Sequence, residues 1–545
     1  MRTRALVIGL GVACTTSLVG AAPSLAAKRC VGNGPGCHRT IQGALDASRD
    51  GDLIKVGSGS FAGGITVAKS VSIIGAGAGA TVIRGGGPVV TIGTVGALVE
   101  PTVSIAGVKI TGGRTSSSPA TDFGAGGTAQ ARGGGVFVPP GADGGKGATV
   151  AIRDSVIAGN RAAPTTTLGP TNPDEAANWP ACPNGPCPYA QADGGGIDNF
   201  GDMTLINVLV CDNEAGGPVA SDATGAGIWS NLGTLTLLKS KVLHNRAAVV
   251  APNGRFAEGG GILVQGGALT MRDTLIGDNA TSITSTLPAF VGGSLLEMTS
   301  QAGGVLVAGQ APATIERTRF TGNESTAYDP VGEPAAYDSA LLVLDGPLSL
   351  RDSVIRDNKV ASVTQTTTDI GPAGTALEAH GGGTITNVQV VDNASFISAP
   401  AGDAVATGAV AVFNFDGAPK LLRFVDSVIG DNRAVAKSAT GTASVQGAGI
   451  YSNSLLELQR TAVDGNVGKA DAPTGAADGG GIWNGVAVSG PPVELTLKDS
   501  RIVNNALIGG PGIKRRGGGL FTTEPVTVVR TRISGNVPDQ CFGCG

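Results

Sequence analysis

The chain has 545 residues, 89 of them glycine, with a formal net charge of −4 at pH 7. The glycines follow no Gly-X-Y period, which excludes collagen. No basic stripe is present, which argues against a nucleic-acid partner. No apolar run after the N-terminal segment is long enough to span a membrane. Glycine-rich sequence with abundant Val, Ile and Thr favours an all-β body.

Residues 1–27 have the form of a secretory signal peptide. A basic start is followed by an apolar run over residues 5–19 and by small residues that end at Ala26. We expect cleavage after Ala26 or Ala27, and hence a secreted, extracellular protein.

Residues 28–64 are predicted to cap one end of the body that follows. They contain a short amphipathic helix with Ile41, Ala44 and Leu45 on its inner face. Residues 65–132 are predicted to form irregular first coils.

Residues 133–538 contain an internal repeat of eleven copies, each marked by an asparagine. Apolar positions within a copy are spaced by two, which predicts strands rather than helices. No copy can bury its own apolar face, so the copies must stack into a solenoid. The repeated asparagines are Asn160, Asn213, Asn245, Asn279, Asn323, Asn358, Asn393, Asn432, Asn466, Asn505 and Asn536.

Each coil is predicted to have three strands and one variable loop after the asparagine. Glycine clusters such as Gly133-Gly134-Gly135 indicate the strand that re-enters the stack after that loop. The asparagine is predicted to take the left-handed conformation that a tight corner requires. Its inward amide is expected to bond to the asparagine of the next coil, about 4.8 Å away.

Cysteine spacing predicts three local disulfides in a secreted chain, Cys30–Cys37, Cys182–Cys187 and Cys541–Cys544. The last of these closes a tail over residues 539–545. A zinc site is the alternative, but the ends of a rod are far apart. Cys211 is left over and is predicted to be unpaired.

The start of the mature chain adds a family resemblance. Residues 40–47, 51–56 and 69–77 resemble the opening of right-handed parallel β-helix proteins of the pectin-lyase-like superfamily, and Cys37 precedes them as in some secreted bacterial members. The resemblance implies an all-β fold, a right-handed single-stranded parallel β-helix with a short N-terminal capping helix. It leaves function open, because lyases, hydrolases, epimerases, adhesins and inert spikes share this fold.

Trp229, Tyr451 and Trp483 are the candidate ligand-binding residues. Each follows an inward apolar residue of a glycine-led strand, so its ring should point away from the core. Exposed rings in such a row are suited to stacking on sugars. The alternative is that the long loops fold back and cover them.

Asp357, Asp392 and Asp431 precede the asparagines of three consecutive coils. Carboxylates about 5 Å apart make calcium a candidate ligand. The alternative is a row of solvated turn residues, a common role of Asp. No other cofactor is expected.

Catalytic signals are sparse. Glu378 and His380 form the nearest approach to a polar cluster on the glycine-led strands, and Asp198 lies on the same row. The sequence contains no Asp-Asp pair, and His380 lacks the leading glycine of a Gly-His-Gly motif. Hydrolases of the superfamily usually show both features.

Two functions are therefore expected. The first is a secreted rod that binds a polysaccharide or cell-surface component through its loops and outward aromatic residues. The alternative is a polysaccharide lyase or glycoside hydrolase of the pectin-lyase-like superfamily. The sequence makes no prediction of the oligomeric state.

Overall fold

The computed structural model describes residues 26–544 apart from 117–128, 166–180, 183–184, 187–189, 251–254, 285–289, 292–293, 296–297, 330–333, 366–369, 415–417 and 487–492. Residues 1–25 of the expected signal peptide lie outside the described residues, as does Cys187 and with it the predicted disulfide Cys182–Cys187.

Six parallel sheets run along the molecule, and the chain visits them in the same order in each full coil. Sheet A is the longest, with strands at Lys28–Val31, Leu53–Val56, Ser72–Ile74, Thr102–Ala106, Thr149–Arg153, Asp202–Ile206, Leu235–Leu238, Leu269–Arg272, Ala313–Glu316, Leu348–Arg351, Gly383–Thr386, Leu422–Val425, Leu456–Gln459, Leu495–Lys498 and Val526–Val529.

Sheet B follows sheet A after a tight bend, with strands at Gly59–Ala62, Thr81–Arg84, Lys109–Thr111, Val156–Ala158, Leu209–Cys211, Lys241–Leu243, Leu275–Gly277, Arg319–Thr321, Val354–Arg356, Gln389–Val391, Val428–Gly430, Ala462–Asp464, Arg501–Val503 and Arg532–Ser534. Sheet C completes the main cylinder, with strands at Ile65–Val67, Val90–Ile92, Val136–Val138, Ile197–Asn199, Ile228–Asn231, Ile262–Gln265, Val305–Ala308, Leu341–Val343, Leu377–Ala379, Val410–Val412, Ile450–Ser452, Ile482–Asn484, Leu520–Thr522 and Cys541–Phe542.

Between sheets B and C, most coils leave the cylinder on sheet D and return on sheet E or F. Sheet D has strands at Arg114–Thr115, Arg161–Ala162, Glu214–Gly217, Arg246–Val250, Ala280–Thr284, Glu324–Asp329, Lys359–Thr364, Ala394–Ser398, Arg433–Lys437, Val467–Asp471 and Ala506–Gly509. Sheet E has strands at Ala129–Arg132, Ala190–Asp193, Asp222–Thr224, Phe256–Glu258, Met298–Gln301 and Pro334–Ala336, and sheet F at Ile370–Ala373, Ala404–Thr407, Thr442–Gln446, Thr474–Asp478 and Ile513–Arg516.

The remaining elements are small. Ala181–Cys182 pairs with Gly185–Pro186, and Phe290–Val291 with Ser294–Leu295, both antiparallel. A 3-10 turn covers Ala142–Gly144.

The fold is a right-handed single-stranded parallel β-helix, as the sequence predicted, and right-handed crossovers are the rule between parallel strands. The strand count per coil differs from the prediction: full coils have five strands rather than three. The post-asparagine segments read as loops because they are rich in Ala, Gly and Thr. Their alternate small residues pack between sheets D and E, as Ala247 and Val249 do against Ala223 and Ala257.

Two separate cores result from this layout. Val, Ile and Leu of sheets A, B and C fill the main cylinder, as Ile152, Ile157 and Ile197 do in one coil. Alanine-rich clusters fill the narrow space between sheet D and sheets E and F. Fifteen strands of sheet A at about 4.8 Å spacing give a rod of about 67 Å.

The capping helix covers Ile41–Ala47 and begins where Thr40 Oγ1 accepts a hydrogen bond from the Gly43 N–H at 3.0 Å. Its buried residues are Ile41, Ala44 and Leu45, as predicted. The helix covers the apolar end of the first coils, which an open solenoid would leave in water.

The asparagine ladder is the most regular polar feature of the rod. All eleven asparagines are buried, at most 4% exposed. Each Nδ2 donates to the Oδ1 of the next asparagine at 2.9–3.1 Å from Asn160 to Asn536. The last, Asn536, donates to Gln540 Oε1 at 3.0 Å, which ends the ladder.

The backbone of the corner departs from one prediction. The residue before the asparagine takes the left-handed conformation, as at Asp357 (φ 56°) and Asp392 (φ 57°), and the asparagine does not. This leaves the asparagine side chain free to turn inward, where its amide satisfies groups of both neighbouring coils.

Asn358→Ala should destabilise the rod strongly. Asn358 Nδ2 donates to Asn393 Oδ1, and its Oδ1 accepts from the N–H and Nδ2 of Asn323. These buried groups would lose their partners, so we expect a loss of at least about 2 kcal/mol in urea unfolding followed by circular dichroism. The control Asp357→Gly keeps the left-handed turn and should change stability by less than about 1 kcal/mol. Equal losses for both variants would contradict a structural role for the ladder.

Candidate functional site

The middle residues of the sheet C strands point away from the main core and stand in register from coil to coil. They face the concave corner between sheet C and sheets E and F, where Arg132 of sheet E meets Asp198 and Trp229. Each is at most 9% exposed. We call them the corner row: Phe137, Asp198, Trp229, Leu263, Leu306, Leu342, Glu378, Ala411, Tyr451, Trp483 and Phe521.

Tyr451 and Trp483, predicted as a sugar platform, are buried in this row. Their rings stack on each other with centroids 4.7 Å apart and planes 2° apart. Phe413 packs against Tyr451 at 5.0 Å, and Phe521 stacks on Trp483 at 6.3 Å. The aromatic faces are thus used within the protein, and the rings as placed offer none to a sugar.

Trp229 is covered in a different way. Phe200 meets it edge-on with ring centroids 5.0 Å apart, and the Arg132 guanidinium lies 5.3 Å from its ring centroid. Only 5% of Trp229 is exposed. The sequence left open whether this ring is exposed or covered, and the structure shows that it is covered.

Asp198 belongs to a buried ionic cluster. Arg132 lies 3.5 Å from both Asp193 and Asp198, and Thr224 Oγ1 donates to Asp193 at 2.5 Å. Burial raises the pKa of Asp198 well above its usual value, and the positive charge of Arg132 partly opposes this shift. Asp198 lies five coils from Glu378, about 24 Å along the rod, so the structure does not bring the two together.

Glu378 and His380 do meet. They alternate along one strand and its continuation, so both side chains lie on the outer face of sheet C. Glu378 Oε1 and His380 Nε2 are 2.5 Å apart. Both side chains are nearly covered, at 8% and 9% exposure, so neither is presented on an open surface.

Asp338 joins this pair, and sequence reasoning missed it. Its carboxylate contacts Thr375 Oγ1, and it interacts with Glu378 in the next coil. A signal was present: Asp338-Ser339-Ala340 stands where most coils have a glycine cluster. Asp338 has a positive φ of 31°, a conformation that costs a non-glycine residue of order 1–3 kcal/mol and recurs at functional sites.

The cluster has the chemistry of an acid–base centre. Burial raises the pKa of Glu378 to about 8. Burial, followed by the charge of Glu378, raises the pKa of Asp338. Burial lowers the pKa of His380. A protonated carboxyl beside a neutral imidazole can exchange a proton at neutral pH.

The aspartates that made calcium a candidate ligand lie on the turns that precede the ladder asparagines. Asp357, Asp392 and Asp431 occupy left-handed turns, and Arg356 lies 2.7 Å from Asp357 and 3.6 Å from Asp392. Within the described part of the chain, no group of three or more His, Cys, Asp or Glu residues is placed to hold a metal ion.

Two of the predicted disulfides are present, Cys30–Cys37 and Cys541–Cys544. They indicate an oxidising compartment rather than the cytoplasm. Cys211 is half-buried and unpaired, as expected. Among the described residues, no helix is long and apolar enough to cross a membrane.

Comparison with known proteins gives little beyond the fold. No protein-family model matches the sequence, and no curated protein matches it. Among solved structures, the chain is similar to the A-module of Azotobacter vinelandii mannuronan C-5 epimerase AlgE4, at 12% identity over 89% of this chain and 94% of that one, with a TM-score of 0.29. The AlgE6 A-module of the same organism gives 14% identity, coverage of 92% and 95%, and a TM-score of 0.27. The PL6 family alginate lyase AlyGC gives 10% identity, coverage of 92% and 98%, and a TM-score of 0.14.

The fold class is therefore assigned from the six parallel sheets, through which the chain makes one turn per coil, and not from the comparisons. The chain is a right-handed parallel β-helix repeat protein with a second, alanine-rich core beside the main cylinder.

The tryptophans of the corner row provide a direct solution test. In a Trp179→Phe variant, the remaining tryptophans are Trp229 and Trp483. Because both are at most 9% exposed, their emission should be blue-shifted and poorly quenched by iodide, and should not change with added oligosaccharides. Strong quenching in the folded protein, reversed by a sugar, would contradict the covered arrangement.

Proposed function

We propose that the chain is a non-catalytic, secreted rod that binds an extended neutral polysaccharide lengthwise along the outer face of sheet A. The predicted signal peptide and the local disulfides support secretion. The binding surface differs from the expected one, because the aromatic rings that suggested sugar stacking are buried.

The observation that carries the proposal is a row of hydroxyls in register on sheet A. The row, which we call the hydroxyl row, consists of Thr204, Thr236, Thr270, Thr314, Ser349 and Thr384. The last four are exposed. Within the described residues these hydroxyls have no hydrogen-bond partner, so they are available to a ligand. Six coils span about 24 Å, which suits a chain of several sugars lying along the rod.

Charges beside the hydroxyl row are largely compensated. The Glu316 carboxylate lies 2.9 Å from Arg272 and 2.7 Å from Arg351, which come from the adjacent coils. Further along, Glu457 lies 2.9 Å from Arg423 and 3.2 Å from Lys498. A surface of paired charges and free hydroxyls favours hydrogen bonding to neutral sugars over attraction of a polyanion.

A second candidate function is a polysaccharide lyase or glycoside hydrolase. It is favoured by the contact of Glu378 with His380 and Asp338, since a buried, protonated carboxyl is suited to general-acid catalysis. The burial of all three side chains argues for the binding rod instead.

Removing the hydroxyls should weaken binding without changing the fold. The quadruple variant carries Thr270→Val, Thr314→Val, Ser349→Ala and Thr384→Val. Valine keeps a β-branched side chain, which suits a strand, at the three threonine positions. Each lost hydrogen bond contributes about 0.5–1.5 kcal/mol, so affinity for a neutral polysaccharide should fall by at least about tenfold in affinity gel electrophoresis. The matched control with Ser at the three threonine positions retains the hydroxyls and should bind nearly as wild type does.

The same incubations separate the two candidates. If the protein is a binding rod, its migration is retarded in a gel that contains the polysaccharide, and no product is released. New reducing or unsaturated ends that disappear in Glu378→Gln would establish the enzyme. Equal retardation of the wild type and the hydroxyl-free variant would contradict sheet A as the binding face.

A further inference from the structure

Arginines lie beside the buried acids at the two ends of the corner, whereas two acids lie together in its middle. At one end Arg132 lies 3.5 Å from Asp193, and at the other Arg516 binds Asp478 through two hydrogen bonds of 2.9 and 2.7 Å. Both arginines also lie over aromatic rings of sheet C. Asp193 belongs to sheet E like Arg132, and Asp478 belongs to sheet F like Arg516, so both pairs join neighbouring strands of one sheet. Arg132 also lies 3.5 Å from Asp198 of sheet C and thereby links sheet E to the main cylinder.

The middle coils use two acids instead. Asp338 is fully buried in the turn that joins sheet E to sheet C, and Glu378 is 6% exposed on sheet C of the next coil. Asp338 Oδ2 is buried and has no hydrogen-bond donor in the described part of the chain. Two ionised carboxylates in this position would repel each other, and a proton on one of them would remove this repulsion and supply a donor.

Polar and titratable side chains surround the pair. Thr375 contacts Asp338, and His380 contacts Glu378. Burial, followed by the charge of Glu378, raises the pKa of Tyr451. Burial lowers the pKa of His380; the charges of Asp338 and Asp345 oppose this shift, and Lys420 adds to it.

We propose that Asp338 and Glu378 form a proton-dependent latch. The latch holds the strands of sheets E and F, on which the chain returns to the cylinder, against the outer face of sheet C. The latch is closed when the pair carries a proton and loosens when both carboxyls are ionised. Its opening uncovers the aromatic rings next to it, which begin at Phe413 and continue through Tyr451 and Trp483.

The direction with pH follows from linkage. Both carboxyls have pKa values raised above those of the unfolded chain, with Glu378 at about 8. Their contribution to stability is complete below the unfolded pKa near 4 and is lost as pH rises through the folded values. The pKa of His380 is lowered, so this residue opposes folding only as pH falls below about 6.5. The latch should therefore loosen between neutral and mildly alkaline pH.

Hydrogen–deuterium exchange of the full chain tests the latch. After correction for intrinsic rates, amides of the strands Pro334–Ala336 and Ile370–Ala373, which lead back to sheet C, should exchange at least about tenfold faster near pH 8.5 than near pH 6, since one unit of pKa corresponds to tenfold in equilibrium. Glu378→Gln supplies a permanent donor and should keep these amides protected at both pH values.

Two further variants make the outcome decisive. Asp338→Gly restores the residue that most coils have at this position and removes the repulsion between the two carboxylates. It should weaken the pH response without abolishing it, because burial still raises the pKa of Glu378. Glu258→Gln removes another acid of the same corner whose pKa burial also raises, two coils from Asp338 and three from Glu378, and it should leave the response of these strands unchanged. A wild-type chain without the pH response, or one whose response is undiminished in both latch variants, would overturn the proposal.

Discussion

The rest of the structure depends on the buried contact between asparagines of successive coils. Each amide bonds to its neighbours in both directions, so the stacking register is fixed at one corner of each regular coil. A shift by one residue would bury backbone groups without partners. Because this corner is fixed, segments of very different length can leave and re-enter the stack without disturbing the main core.

A second consequence is the closed corner beside sheet C. The returning strands carry arginine, acids and amides that meet an outer face rich in aromatic and aliphatic side chains. In this corner the aromatic rings pack against each other and the acidic side chains are buried. The outer face of sheet A has an exposed row of hydroxyls among its described residues, and this is the surface that we propose for a partner polymer.

The sequence predicted the coil, the ladder and the capping helix because each depends on local periodicity, and apolar spacing reports that directly. It did not predict the fourth and fifth strands, whose alanines resemble loop residues until two sheets pack them together. Trp229 and Trp483 were correctly predicted to point outward, but their cover comes from side chains distant in sequence, such as Arg132 and Phe521. Asp338 was missed because a single departure from the glycine pattern does not indicate a function by itself. Its meaning depends on Glu378, which is 40 residues away in the sequence and comes close to it only in the folded chain.

Isothermal titration with neutral oligosaccharides of increasing length tests the central claim, a rod that binds a polymer lengthwise, most directly. Affinity should rise with length until the ligand covers the hydroxyl row, about 24 Å, and then level off without product formation. Short oligosaccharides that bind as tightly as long ones, or that are cleaved, would contradict this account.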